Sequence, residues 1–235
     1  MDYFKRTKKT LIVSCQAVDK EPLNNVKTIT LMAKACIEGG ATSLRLSQVP
    51  HIRSIKRFIK RNKLNIPVIG IIKQKYEGSE VFITPTIKEV KKLLRLKPEV
   101  IALDATLRKR PKESLEEIVK FIRTNYPKQI IMADCSCKED VLNADRLGFD
   151  IIGTTLRGYT QETSGKNNLQ NNFEFIKWCT KHVNAKVILE GGVWDPQIAA
   201  NALNKTDIHA IVVGSAITRP LEIVKKYLSV INKNK

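Results

Sequence analysis

Eight short apolar runs, rich in valine and isoleucine, alternate along the chain with longer amphipathic segments. The runs are TLIVSCQ (10–16), TSLRL (42–46), PVIGIIK (67–73), VIALDAT (100–106), IIMADCS (130–136), DIIGTTL (150–156), KVILEGG (186–192) and AIVVGSA (210–216). Continuous apolar strands of this kind are covered on both faces, as parallel strands between helices are. The intervening segments carry helical apolar spacing, as in SLEEIVKFIRTNY and NNFEFIKWCTKHV. In WDPQIAANALN, Asp195 stands where it caps a helix and Pro196 lies in the first turn; Pro220 lies in the first turn of the last helix.

Eight such units in 235 residues fit a closed (β/α)8 TIM barrel, a single α/β domain over residues 1–235. The polar strand ends recur about every 28 residues. An open doubly wound sheet would more often show a G-x-G-x-x-G turn after an early strand, and the sequence has none. SEVFITPT (79–86) reads as an extra extended segment in the loop after the third run.

In a parallel barrel the C-terminal strand ends open on the active-site face. The residues expected there are Gln16, Arg45, Lys73, Asp104, Asp134, Thr154, Glu190 and Gly214–Ser215. Opposite charges therefore converge on one mouth. The last two runs end in glycine-bearing turns, LEGGVWDP and VVGSAITRP. Glycines let backbone N–H groups approach phosphate oxygens, and a following helix N-terminus favours the anion. Gly191, Gly192, Gly214 and Ser215 are the phosphate-binding candidates, with Arg219 near enough in sequence to add a charge-assisted contact.

The net charge of +18 suggests a polyanion partner, but the lysines are spread over helical segments such as IKEVKKLLRLK and aromatics are only 6%. Solvated helix faces explain the charge, no specific nucleic acid is expected, and a basic surface attracts a small anionic substrate. No run reaches the length of a membrane span, and MDYFKRTKKT has no apolar signal core. The five cysteines show no C-x-x-C spacing and read as free thiols in a reducing cytoplasm. His51, His182 and His209 form no ligand pattern, so neither a metal nor a cofactor is expected.

With these residues in view, the chain resembles the N-acetylmannosamine-6-phosphate 2-epimerases of bacterial sialic-acid salvage. LIVSCQA, EGGATSLRL, PVIGIIK, SEVFITPT, VIALDAT, IMADCS, RLGFDIIGTTLRGYT, ILEGGV and VVGSAITRP carry the resemblance over nearly the whole chain. It implies a metal-independent barrel that interconverts the 6-phosphates of N-acetylmannosamine and N-acetylglucosamine. It places the catalytic lysine on Lys73 and the catalytic glutamate on Glu190. It places substrate contacts on Gln16, Arg45 and Asp134; Thr154 and Tyr159, in RLGFDIIGTTLRGYT, complete the expected set. The sequence departs from the family's K-R-D-Y after the third strand, with Lys73-Gln74-Lys75-Tyr76, and from R-A-N after the second, with Arg45-Leu46-Ser47. The first change removes an acidic neighbour of the lysine.

The two sugars differ only at C2, next to the aldehyde of the open-chain form. Epimerisation needs ring opening, a base for the C2 proton, and stabilisation of the charge that develops on O1. A free lysine is protonated at neutral pH; to be half neutral at pH 7 its pKa must fall by about 3.4, roughly 4.6 kcal/mol. The third and seventh strands are four apart in the ring, so Lys73 and Glu190 should face each other across the mouth. Another sugar-phosphate enzyme such as an isomerase, or a basic RNA-binding or scaffold barrel, fits the fold less specifically. A homodimer through outer helices is the expected assembly. Because no ligand cluster is legible, exhaustive EDTA treatment is expected to leave activity intact; loss to EDTA reversed by one divalent ion would reject that expectation.

Overall fold

In the computed structural model, which describes residues 2–17 and 20–232, eight parallel strands close into one barrel. They are β1 (Leu11–Cys15), β2 (Ser43–Ser47), β3 (Val68–Ile71), β4 (Val100–Asp104), β5 (Ile130–Asp134), β6 (Ile151–Gly153), β7 (Lys186–Glu190) and β8 (Ala210–Val213). Each pairs with the next in sequence, and β8 returns to β1 through Leu11↔Ile211, Ile12↔Val212 and Val13↔Val213. This is the (β/α)8 architecture that the spacing of the runs predicts.

Strand alternation sorts the side chains into two cores. Ile12, Ile69, Ile71, Met132, Ile151, Ile188 and Val212 meet inside the ring. Their neighbours Val13, Leu44, Leu46, Val68, Leu103, Ile152 and Leu189 point outward onto the helices. A fully buried aliphatic side chain contributes about 1.5–3 kcal/mol, so a one-residue slip of any strand would be costly. The floor of the barrel is filled by α1 (Tyr3–Thr7), whose first turn is capped by Asp2 through the N–H groups of Phe4 and Lys5 at 3.0 and 3.2 Å. Tyr3 joins the inner core, and Phe4 packs edge-on against His209.

The outer layer is α2 (Val26–Glu38), α3 (Val49–Arg61), α4 (Ile87–Leu96), α5 (Leu115–Asn125), α6 (Lys138–Arg146), α7 (Gln170–His182) and α8 (Pro196–Lys205), followed by the short α9 (Ser215–Thr218) and α10 (Pro220–Ile231). Asp195 caps α8 through the Gln197 N–H at 2.8 Å, with Pro196 in the first turn, as the sequence predicts. Segment NNFEFIKWCTKHV becomes regular helix only from Glu174, because Asn171, Asn172 and Phe173 take positive φ. Helix α10 differs from the others: it buries none of its residues, and Leu221, Val224, Tyr227, Leu228, Val230 and Ile231 are exposed.

The segment expected to be extended after β3 does return along the chain, but it makes isolated bridges rather than a ninth strand. Ile83 lies opposite Lys73 in an antiparallel bridge. Gln74 N–H donates to Phe82 O at 2.9 Å, Thr84 N–H to Ile72 O at 2.7 Å, and Asp104 N–H to Ile83 O at 2.9 Å. Residues 82–84 thus wedge between the C-terminal ends of β3 and β4, whose direct pairing is limited to Ile69↔Val100 and Gly70↔Ile101. The turn that allows this holds Thr84 at φ 46°, an unfavourable value for a β-branched residue. Thr84 is held there in part by its hydroxyl, which accepts from Ile72 N–H at 3.2 Å.

The loop from β6 to α7 passes over the mouth and depends on Gly158. That glycine has φ +87°, and a Cβ there would stand 2.3 Å from the Lys166 carbonyl oxygen. Gly158→Ala is expected to destabilise the protein by about 2 kcal/mol, given the usual 1–3 kcal/mol for a strained backbone; a chemical denaturation curve checks this.

Candidate active site

The two-residue period that builds the inner core also builds the mouth. Beyond the last apolar inward positions, the same parity brings Ser14 and Gln16, Arg45, Lys73, Thr155, Glu190 and Gly214 to a cavity of about 350 Å³ at the C-terminal end. Phe82, Ile83 and Leu156 supply apolar walls, and Tyr159, 71% exposed, and Trp194 stand on the rim. Gln16 is oriented by its own strand: its Nε2 donates to Ser14 Oγ at 2.9 Å.

Arg45 is the centre of the charged cluster. Its Nη1 and Nη2 donate to Asp134 Oδ1 and Oδ2 at 2.9 and 2.6 Å, and Nη1 also pairs with Glu190 Oε2 at 2.9 Å. Arg45 and Asp134 are buried. Burial opposes the guanidinium charge, but the two carboxylates outweigh it and hold Arg45 above the ordinary arginine range. Glu190 is pushed up to about 7: burial and the neighbouring Asp134 raise it, against the lowering effects of Arg45, a hydrogen bond from Thr155, and Lys73.

Lys73 stands two residues beyond β3, on the strip paired with residues 82–84. It lines the cavity with Glu190, from strands four apart in the ring. Its amine is brought down to about 8, first by burial and then by the positive charges of Arg45 and Arg219, against Glu190 and Asp134. Among the described residues no carboxylate lies within 4.0 Å of the Lys73 amine. The neighbouring Gln74 turns its amide to Lys75 O at 3.0 Å.

The anion end of the cavity comes from the two glycine turns. Gly191 and Gly192 take φ +106° and +80°, a conformation that side chains rarely adopt. Gly214 packs on Ser14, where a Cβ would stand 3.2 Å from Ser14 Cβ, and Ser215 opens α9. All four line the cavity with Arg219. Arg219 is held by Glu21, with Nε at 3.0 Å from Oε1 and Nη2 closer still, and Glu222 lies 3.7 Å away.

Three expected positions do not line the cavity: Asp134 is fully buried behind it, where it binds Arg45 and the Thr155 hydroxyl, and Asp104 and Thr154 turn elsewhere. Asp104 turns to its own loop, accepting from Thr106 Oγ1 at 2.7 Å and Arg108 Nη2 at 3.1 Å. Thr154 is fully buried and serves the backbone of β7, accepting from Glu190 N–H at 3.3 Å. The residue facing the cavity is Thr155, whose hydroxyl lies 2.6 Å from Asp134 Oδ1 and 3.3 Å from Glu190 Oε2. The signal was present in strand parity, since Ile151 is an inner-core residue and Ile152 an outer-core one. Asn168 was also not foreseen. Its Nδ2 bridges Thr154 O, Glu190 O and Gly191 O at 3.3, 2.8 and 3.3 Å, fixing the end of β7 from a loop with no legible period.

A closed parallel barrel that sets a lowered lysine and a raised carboxylate beside two glycine turns defines an acid–base enzyme for a small anionic substrate. Among the described residues no group of three or more His, Cys, Asp or Glu is arranged to hold a metal. The family profile described as "Putative N-acetylmannosamine-6-phosphate epimerase" matches residues 29–233. Proteins named "Putative N-acetylmannosamine-6-phosphate 2-epimerase" are 54% identical over 228 residues in Malacoplasma penetrans and 53% identical over 227 residues in Mycoplasma mycoides; each match covers 97% of both chains. The solved N-acetylmannosamine-6-phosphate 2-epimerase of Clostridium perfringens superposes with a TM-score of 0.89 at 40% identity, over 98% of this chain and 96% of that one. The chain belongs to the N-acetylmannosamine-6-phosphate 2-epimerase family.

Arg45→Ala would leave two buried carboxylates without their cation. It is expected to destabilise the fold by about 3–5 kcal/mol. Urea unfolding checks this, and the Arg45→Ala/Asp134→Asn double variant should lose less than the two single changes together.

Proposed function

We propose that residues 1–235 act as one barrel domain that interconverts N-acetylmannosamine 6-phosphate and N-acetylglucosamine 6-phosphate. The observation that carries this reading is the joint presence of Lys73 and Glu190 on one cavity, their proton affinities drawn together by burial, which raises the glutamate and lowers the lysine. The 6-phosphate is assigned to the turns at Gly191–Gly192 and Gly214–Ser215, with Arg219 held ready by Glu21. The sugar then lies between Lys73 and Glu190, with Gln16, Tyr159 and the Arg45–Asp134 pair around it.

Ionised Glu190 accepts a hydroxyl proton at ring opening and handles proton traffic at the sugar oxygens. Neutral Lys73 removes the C2 proton, and its flexible stem lets the same amine return a proton to the opposite face. At pH 7 a lysine of pKa 10.5 is neutral in about 1 molecule in 3,000, whereas one at about 8 is neutral in about 1 in 10. That difference makes a lysine base workable near neutrality.

Among the described residues no helix is long and apolar enough to cross a membrane. We assign the enzyme to the cytoplasm, where its five free cysteines stay reduced. We further assign a homodimer in which the exposed apolar side of α10 is covered; light scattering on the eluted protein should give twice the monomer mass.

The reading is tested by proton NMR with N-acetylmannosamine 6-phosphate in D2O. The N-acetylglucosamine epimer should appear with deuterium at C2; a ketose product would indicate an isomerase instead. kcat/KM should rise with pH through about 7 and about 8, as Glu190 and then Lys73 lose their protons. Lys73→Arg, which cannot deprotonate, should lose activity by at least about 10³-fold and abolish C2 exchange from both epimers; near-normal exchange from one epimer would show that each face has its own base. Arg219→Ala should raise KM more than it lowers kcat.

A further inference from the structure

The Thr155 hydroxyl faces both acidic side chains of the mouth, and the chemistry above gives it no part. Its Oγ1 lies 2.6 Å from Asp134 Oδ1 and 3.3 Å from Glu190 Oε2. The preceding strand keeps space for it: a Cβ on Gly153 would stand 2.3 Å from Met132 Cε and 3.0 Å from Thr155 Oγ1.

A threonine hydroxyl has one proton to donate. Two carboxylates are within its reach, so it serves one fully at a time. The charged groups that act on Glu190 come from three other places in the ring. Arg45 of β2 pairs with it at 2.9 Å, Asp134 of β5 repels it, and Lys73 beyond β3 attracts it. From its own side, Thr154 accepts its backbone N–H and leaves the carboxylate untouched. Arg45 is fixed by three contacts to two carboxylates. The Thr155 hydroxyl, by contrast, changes partner by turning one bond, with no heavy atom displaced.

The geometry points to Thr155 as a positioning residue for Glu190: its proton rests on Asp134 while Glu190 is protonated and turns to Glu190 when that carboxylate is charged. The threonine keeps its proton throughout, so only the acceptor of the hydrogen bond changes. Asp134 already takes two bonds from Arg45 and Glu190 only one contact, so the hydroxyl gains more from Glu190 once that carboxylate is charged and thereby favours its ionised form. The inference rests on the acid–base role proposed for Glu190.

The test follows Glu190 directly, by carbon-13 carboxyl NMR titration of glutamate-labelled protein without added sugar. The resonance is assigned by its loss in Glu190→Gln. In Thr155→Val the Glu190 midpoint should rise by about one pH unit, and Thr155→Ser should return it to the wild-type value. In turnover, kcat/KM below that midpoint should fall about tenfold in Thr155→Val and recover in Thr155→Ser, with kcat affected more than KM. An unmoved midpoint in folded Thr155→Val overturns the inference. Should circular dichroism show that variant unfolded, Thr155→Ala gives the same reading. Collapse of both, with Thr155→Ser folded, makes the role structural and also overturns it. Because the titration needs no substrate, a raised midpoint in a protein without epimerase activity would sink the proposed function and leave this pairing standing.

Discussion

One buried guanidinium, that of Arg45, organises the mouth of this barrel. Taking a charge out of water costs several kcal/mol, and here the two carboxylates that receive it come from β5 and β7, on the far side of the ring. The cation does two further things. It disfavours a second positive charge on Lys73, and it leaves Asp134 and Glu190 to compete for one partner. The reference values of a lysine and a glutamate, 10.5 and 4.5, differ by six, which is about 8 kcal/mol for moving a proton between them. At about 8 and about 7 the gap is close to one, or about 1.4 kcal/mol. A site that must shuttle protons to and from carbon and oxygen at neutral pH needs a gap of that small size.

Much of this was legible because a closed parallel barrel obeys two simple periods. The repeat of apolar runs gives the ring, and alternation within each run gives the inward face. Lys73, Arg45, Asp134 and Glu190 are each preceded at two-residue spacing by inner positions of their strands, so their place followed from pattern alone. Thr154 and Thr155 show where the pattern must be applied strictly: the two are chemically identical, and only parity separates the backbone clasp from the cavity hydroxyl. Asp104 has inward parity yet turns to Arg108 and Thr106, because its loop supplies nearer donors than the mouth does. No local rule predicts such a choice between partners. Asn168 belongs to the same group, since its carbonyl acceptors are Thr154, just past β6, and Glu190–Gly191, at the end of β7, which meet only in the folded chain.

The anion end illustrates a division between backbone and side chain. The left-handed backbone at Gly191 and Gly192 was readable from residue type, because few other residues tolerate it. The setting of Arg219 was not. Glu21, at the opposite end of the sequence, holds its guanidinium, so the phosphate contact proposed for it involves a residue already fixed by an ion pair. The +18 net charge, in contrast, needs no single partner: it lies on helix faces and adds a broad attraction for anions around the mouth.

Lys73 is not part of the ring. It rides on a strip past the end of β3, fastened by backbone hydrogen bonds to residues 82–84, where Thr84 holds an unfavourable conformation. Its neighbour Ile72 is buried in the outer core and the facing Ile83 in the inner one, so the amine on which the proposed chemistry depends is anchored to both layers, and on heating this protein should fall silent only as its eight-stranded ring comes apart, inactivation and unfolding being one event.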